Sequence, residues 1–189
     1  MARPLEPRKS KVAVPLPDDA TLTPDIRQPA LNNLRMFANV PHCFLSITSL
    51  IDQLFHAGTI DPKLREYMYL RSAIKYGLYD EYRHNLSFSE QLGITDGEIA
   101  ALRSDGPVDR LSADGNLACA AAEEITERFS VGDETLTALL ERFGTEGTCE
   151  IILLVSWFNL LIRYVESTRV PYEKDLGDII KGGAPLGLK

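Results

Sequence analysis

The chain has 189 residues, 44% of them apolar and 25% charged, with a formal net charge of −7, the make-up of one globular domain with a sizeable core. That acidic balance argues against nucleic-acid binding, which needs a basic face to displace counterions, and supplies no basic patch for anionic lipid. The longest apolar run, residues 151–162, is too short for the roughly 20 residues that cross a bilayer, and residues 1–17 lack the apolar core of a signal peptide. The expectation is a cytoplasmic protein with no nucleic-acid or membrane partner.

Residues 1–24, rich in proline and charge without periodicity, are expected to form an extended arm, followed by one all-α domain over 25–173 and a tail over 174–189. Pro41 opens a helix that Gly58 stops. Asp61-Pro62 repeats the device for a helix ending at Gly77. A third helix takes in the cluster KYGLYDEYRHN (75–85) and runs to about Gly93. In ITDGEI (94–99), Thr95 and Glu98 form a capping box, with Ile94 and Ile99 as a hydrophobic staple. Residues 103–112 read as a loop, and further helices as 113–128, 133–143 and 147–167, giving six or seven in all. No run shows the alternation of a strand.

Cys43, Cys119 and Cys149 are odd in number and far apart, with no CxxC pair and no zinc spacing. They read as buried small hydrophobes. His42 and His56 lie about 21 Å apart along one helix, too far to share a metal. No metal site and no cofactor is expected.

Within the third helix Glu81, His84, Asn85 and Phe88 stand at i, i+3, i+4 and i+7 and share a face, with Tyr82 and Leu86 on a more apolar one. A carboxylate, an imidazole and an amide on one stripe suit proton transfer, with the amide holding a substrate oxygen. A solvated polar face with Glu81 near a helix N-terminus is the plainer alternative. Glu66, in LREYMYL, has no local partner: Arg71 at i+5 is off its face. It either finds a partner elsewhere in the fold, shifts its pKa, or is a surface residue of a first turn. Ser156, Asn159 and Arg163 form a polar stripe on an otherwise apolar helix, so they meet partners at a pocket or an interface.

The segment from Leu64 to Leu102, with EIILLVSWFNLLIRYVESTRVPYE (150–173), resembles the core of the carboxymuconolactone decarboxylase family, which includes the alkyl hydroperoxide reductase D-like proteins. The likeness covers about residues 30–173. It implies an all-α fold with helices around a pocket and a homo-oligomer: trimer, hexamer or dimer. Peroxidase-type members carry a glutamate, a CxxC beginning twelve residues on, and a histidine four after the second cysteine. Here Glu66 matches the glutamate, while Leu78, Glu81 and Asn85 stand in place of the thiols and the histidine. Thiol–disulfide chemistry is therefore disfavoured. Other members read Y-E-W-x-H-H, which Tyr79, Glu81, Tyr82 and His84 resemble, with Asn85 departing at the second histidine.

The resemblance implies a cofactor-free acid–base lyase or isomerase acting on a small oxygenated acid or lactone. Its catalytic residues would be Glu66, Glu81 and His84, with Tyr79, Tyr82, Asn85 and Phe88 around the substrate. A non-catalytic oligomeric protein binding a small molecule in the same pocket is the alternative, and a thiol-dependent peroxidase comes third.

Overall fold

The computed structural model describes residues 4–22 and 31–173; the tail expected over 174–189 and the junction expected near residue 24 lie outside them. Among the described residues there are seven α-helices and no strand, as the patterning predicts. They are α1 (Asn32–Met36), α2 (Pro41–Asp52), α3 (Pro62–Tyr76), α4 (Tyr79–Gln91), α5 (Asp96–Leu102), α6 (Ala113–Arg128) and α7 (Asp133–Thr168).

Local chemistry explains most of the boundaries. Pro41 and Pro62 occupy the first turns of α2 and α3, where a missing N–H costs nothing. The Asp61 carboxylate caps α3 by accepting the Lys63 N–H at 2.7 Å. Gly77 ends α3 in the left-handed region, at φ 73°. Past Asp52, α2 widens into a π turn over Gln53–Ala57 before Gly58. The expected break between helices 133–143 and 147–167 falls at Gly144, whose φ of 66° and ψ of −175° interrupt α7.

The chain divides into two compact units. The first comprises Met1–Arg8 and Thr59–Ile162, the second Lys9–Gly58 and Arg163–Lys189. In the second, the Phe37 and Tyr164 rings stack at 4.4 Å and the Tyr164 hydroxyl donates to the Met36 carbonyl. Close by, the Val14 N–H donates to the Thr168 carbonyl at 2.8 Å.

In the first unit α3 is the central rod and packs most extensively on α6, then on α4. Its Tyr67, Leu70 and Ile74 enter an apolar cluster with Tyr82, Leu102 and Cys119. Arg71, one turn on from Tyr67, is fully enclosed at 0% exposure. Its guanidinium donates to the carbonyls of Leu102, Ser104 and Gly106 at 2.5–2.8 Å and meets the Glu123 carboxylate at 2.7 Å. This pins the loop after α5 to α3 and α6. Lys75 reaches the other Glu123 oxygen at 2.9 Å.

The capping box at α5 is present, Ile94 belongs to the same apolar cluster and Ile99 packs against it. Glu98 does more than close the box. Its Oε2 accepts the Thr95 N–H at 2.7 Å, and its Oε1 takes the Tyr67 hydroxyl at 2.5 Å and the Lys63 ammonium at 2.9 Å. Partial burial works against ionisation, but these bonds outweigh it and hold the carboxyl at about 2, below its ordinary 4.5. The stabilisation it brings is full above pH 4.5 and is lost as pH falls through about 2. A Glu98→Ala variant is expected to melt lower at pH 7, by a free energy of about 1–2 kcal/mol. Near pH 2 the two proteins should converge, and thermal melts across that range check both statements.

The cysteines differ from the expectation. Only Cys119 is buried; Cys43 is half-buried and Cys149 is exposed. Cys149 sits on the outward face of α7, which also carries Leu153 and Leu160 at 48% and 50% exposure. Burial pushes the Cys119 thiol up to about 12, with Glu123 adding to the effect and Arg71 opposing it.

Candidate functional site

The residues singled out on α3 and α4 belong to the first unit, and two of them, Glu66 and Glu81, form hydrogen bonds across the seam between those helices. Two residues, Gly77 and Leu78, join the helices, so they run back on one another. Glu66 and Tyr69 are i and i+3 on α3 and therefore neighbours. Across the seam the Tyr69 hydroxyl donates to Glu81 Oε2 at 2.6 Å, and the Ser89 hydroxyl donates to Glu66 Oε1 at 3.1 Å. The Tyr69 ring also meets Phe158 of α7 edge-on, at 5.0 Å between centroids.

Both carboxylates thus engage the same helix pair in different settings. Glu81 is buried at 1% exposure, which sets aside the solvated-face alternative. Glu66 keeps some accessible surface, yet desolvation pushes its carboxyl up to about 8; the Ser89 hydrogen bond and the charge of Arg65 oppose the rise without cancelling it. At neutral pH Glu66 is a protonated acid.

His84 is also buried, and its ring lies 5.7 Å from that of Phe88. Burial lowers its pKa to about 4, so the imidazole is neutral at pH 7. Asn85 is buried next to it, and its Nδ2 donates to the Glu81 backbone carbonyl at 3.0 Å. That N–H serves its own helix. Tyr82 turns the other way, into the apolar cluster, where the Arg103 guanidinium stands 5.7 Å from its ring. Tyr79 and Phe88 are half-buried.

Tyr69 and Ser89 were not among the residues expected at the site. Helical spacing could have found them, since Tyr69 follows Glu66 by three and Ser89 follows Asn85 by four. The polar stripe on α7 splits. Ser156 and Arg163 are exposed, whereas Asn159 is 5% exposed. Asn159 is held structurally: its Nδ2 donates to Thr126 Oγ1 at 3.2 Å and to the Val155 carbonyl, and its Oδ1 accepts the Tyr76 hydroxyl. The Thr126 hydroxyl continues to Ser72 at 3.2 Å, so this chain of hydrogen bonds links α3, α6 and α7.

Among the described residues, no group of three or more histidine, cysteine, aspartate or glutamate side chains could hold a metal ion. No family model matches the chain, and no curated protein matches it.

Proposed function

We propose that the α3–α4 seam is the site of a thiol-free, carboxymuconolactone decarboxylase-like enzyme, a lyase or isomerase acting on a small oxygenated acid or lactone. The observation that supports this reading is the pair Glu66 and Glu81, two carboxyl groups on one seam in environments that separate their roles. Glu66, protonated at neutral pH, is the proton donor. Glu81, already accepting a hydrogen bond from Tyr69, is the acceptor-side partner that orients the substrate. His84, being neutral, contributes hydrogen bonding rather than positive charge.

In a decarboxylation the C–C bond to the carboxylate breaks, CO₂ leaves, and the electron pair moves into a conjugated carbonyl. Carbon then takes the Glu66 proton, which water replaces. The position of Cys43, Cys119 and Cys149 outside the seam is consistent with chemistry that uses no thiol.

The test is turnover of purified protein on a panel of lactone acids and β-keto acids, beside Glu66→Gln and Glu81→Gln. Each substitution is expected to lower kcat by about 10²–10⁴-fold, and wild-type kcat should fall as pH rises through about 8, where Glu66 loses its proton. Turnover kept within threefold in both variants would remove the pair from the mechanism. A panel member that raises the melting temperature without being consumed would mark the seam as a binding site instead.

A further inference from the structure

The helix that carries Glu81 and His84 begins without a side-chain cap. Its N-cap residue is Leu78, at φ −97° and ψ 95°, which has no side-chain oxygen to offer the N–H groups of the first turn. At this point the chain's own N-terminal stretch passes alongside. Leu5 packs against the apolar cluster, Glu6 pairs with Leu78 in an isolated parallel bridge, and the Arg8 N–H donates to Asp80 Oδ2 at 2.8 Å.

The bridge has a definite hydrogen-bond pattern. One of the two parallel arrangements needs an N–H on residue 7 and the N–H of Leu78. Residue 7 is proline, and the Leu78 N–H is already given to the Ala73 carbonyl at 3.0 Å. The arrangement left runs from the Glu6 N–H to the Gly77 carbonyl and from the Tyr79 N–H to the Glu6 carbonyl.

We propose that residues 4–8 serve as an external N-cap for α4: the Glu6 carbonyl takes a first-turn N–H that Leu78 cannot satisfy, while Arg8 ties down Asp80 in the same turn. The strap meets α4 through an isolated bridge rather than as a strand of a sheet, and Pro4, Glu6 and Pro7 are exposed. It therefore opens more readily than the helices it touches. When it opens, the turn bearing Glu81 frays and the α3–α4 seam loosens. This holds whatever reaction the seam performs.

Amide hydrogen exchange at Tyr82 and Arg83, read against the amides of α6, tests it. Deleting residues 2–8 is expected to speed exchange at those two amides by about 5–10-fold, and Leu5→Ala in the full-length chain to act in the same direction. Adding Leu78→Ser to the truncated chain supplies a side-chain cap and should bring exchange back to within about twofold of wild type. Unchanged exchange in the truncated chain overturns the proposal. So does acceleration that Leu78→Ser fails to reverse, because the strap would then act by packing alone.

Discussion

An Arg71→Met variant is expected to lose about 3–5 kcal/mol of folding free energy, read by urea denaturation at pH 7. The methionine fills much of the same space, so the loss is chiefly polar. Three carbonyls, those of Leu102, Ser104 and Gly106, are left without the guanidinium, and Glu123 keeps its ion pair with Lys75. Arg71→Lys should recover less than half of the loss. An ammonium is a single point of donation, whereas this site uses the planar fork to reach carbonyls on one side and a carboxylate on the other. Adding Glu123→Leu to Arg71→Met should cost less than the sum of the two single changes, since each single change already removes the Arg71–Glu123 pair and the double change removes it only once. A loss below about 1 kcal/mol for Arg71→Met would mean that water or a neighbouring side chain takes over the loop carbonyls.

The second large effect is in the pH dependence of stability. The Glu66 carboxyl is raised from 4.5 to about 8 in the folded protein. Between those values the folded state keeps a proton that the unfolded chain releases, so stability falls as pH rises through the window. His84, lowered from 6.5 to about 4, has the opposite slope: below pH 6.5 the unfolded chain binds a proton that the folded protein refuses. From about pH 4.5 to 6.5 the two slopes offset one another, and from 6.5 to 8 only that of Glu66 remains. Wild-type stability should therefore be level at mildly acid pH and decline towards pH 8. Glu66→Gln mimics the protonated acid and should abolish the decline. It should be more stable than wild type at pH 9 by roughly 2 kcal/mol, allowing for the partial exposure of the residue. Parallel urea titrations at pH 5, 7 and 9 check this, and a variant equally destabilised at all three would show that Glu66 is ionised in the folded state.

Much of the fold was legible because its boundaries rest on local chemistry. Pro41, Asp61-Pro62, Gly77, the Thr95–Glu98 box and the break at Gly144 each act within a few residues, so spacing alone exposes them. Glu66 and Glu81 were legible as a carboxylate pair, but not their partners. Periodicity says which face a residue occupies and nothing about what lies opposite. In the sequence Tyr69 is one more aromatic of LREYMYL, and Arg71 stands out only for missing the Glu66 face. Its burial depends on Glu123 and a loop some thirty residues away. Asn159 shows how coarse a helical stripe is: a step of three residues from Ser156 turns it about 60° short of a full turn, enough here to move it from solvent to core.

The two-residue join of α3 to α4 also bears on the order of assembly. The Tyr69–Glu81 bond closes a loop of 12 residues, whereas the Arg71–Glu123 contact closes one of 52. Closure entropy grows with the logarithm of loop length, so the longer loop costs about 1.3 kcal/mol more to shut. The helical hairpin carrying both carboxylates is thus the cheaper contact to form from the unfolded chain, and α6 docks at greater entropic cost. On closure entropy alone, the hairpin pairs the two helices before the contacts of α6 and α7 that desolvate Glu66 are in place.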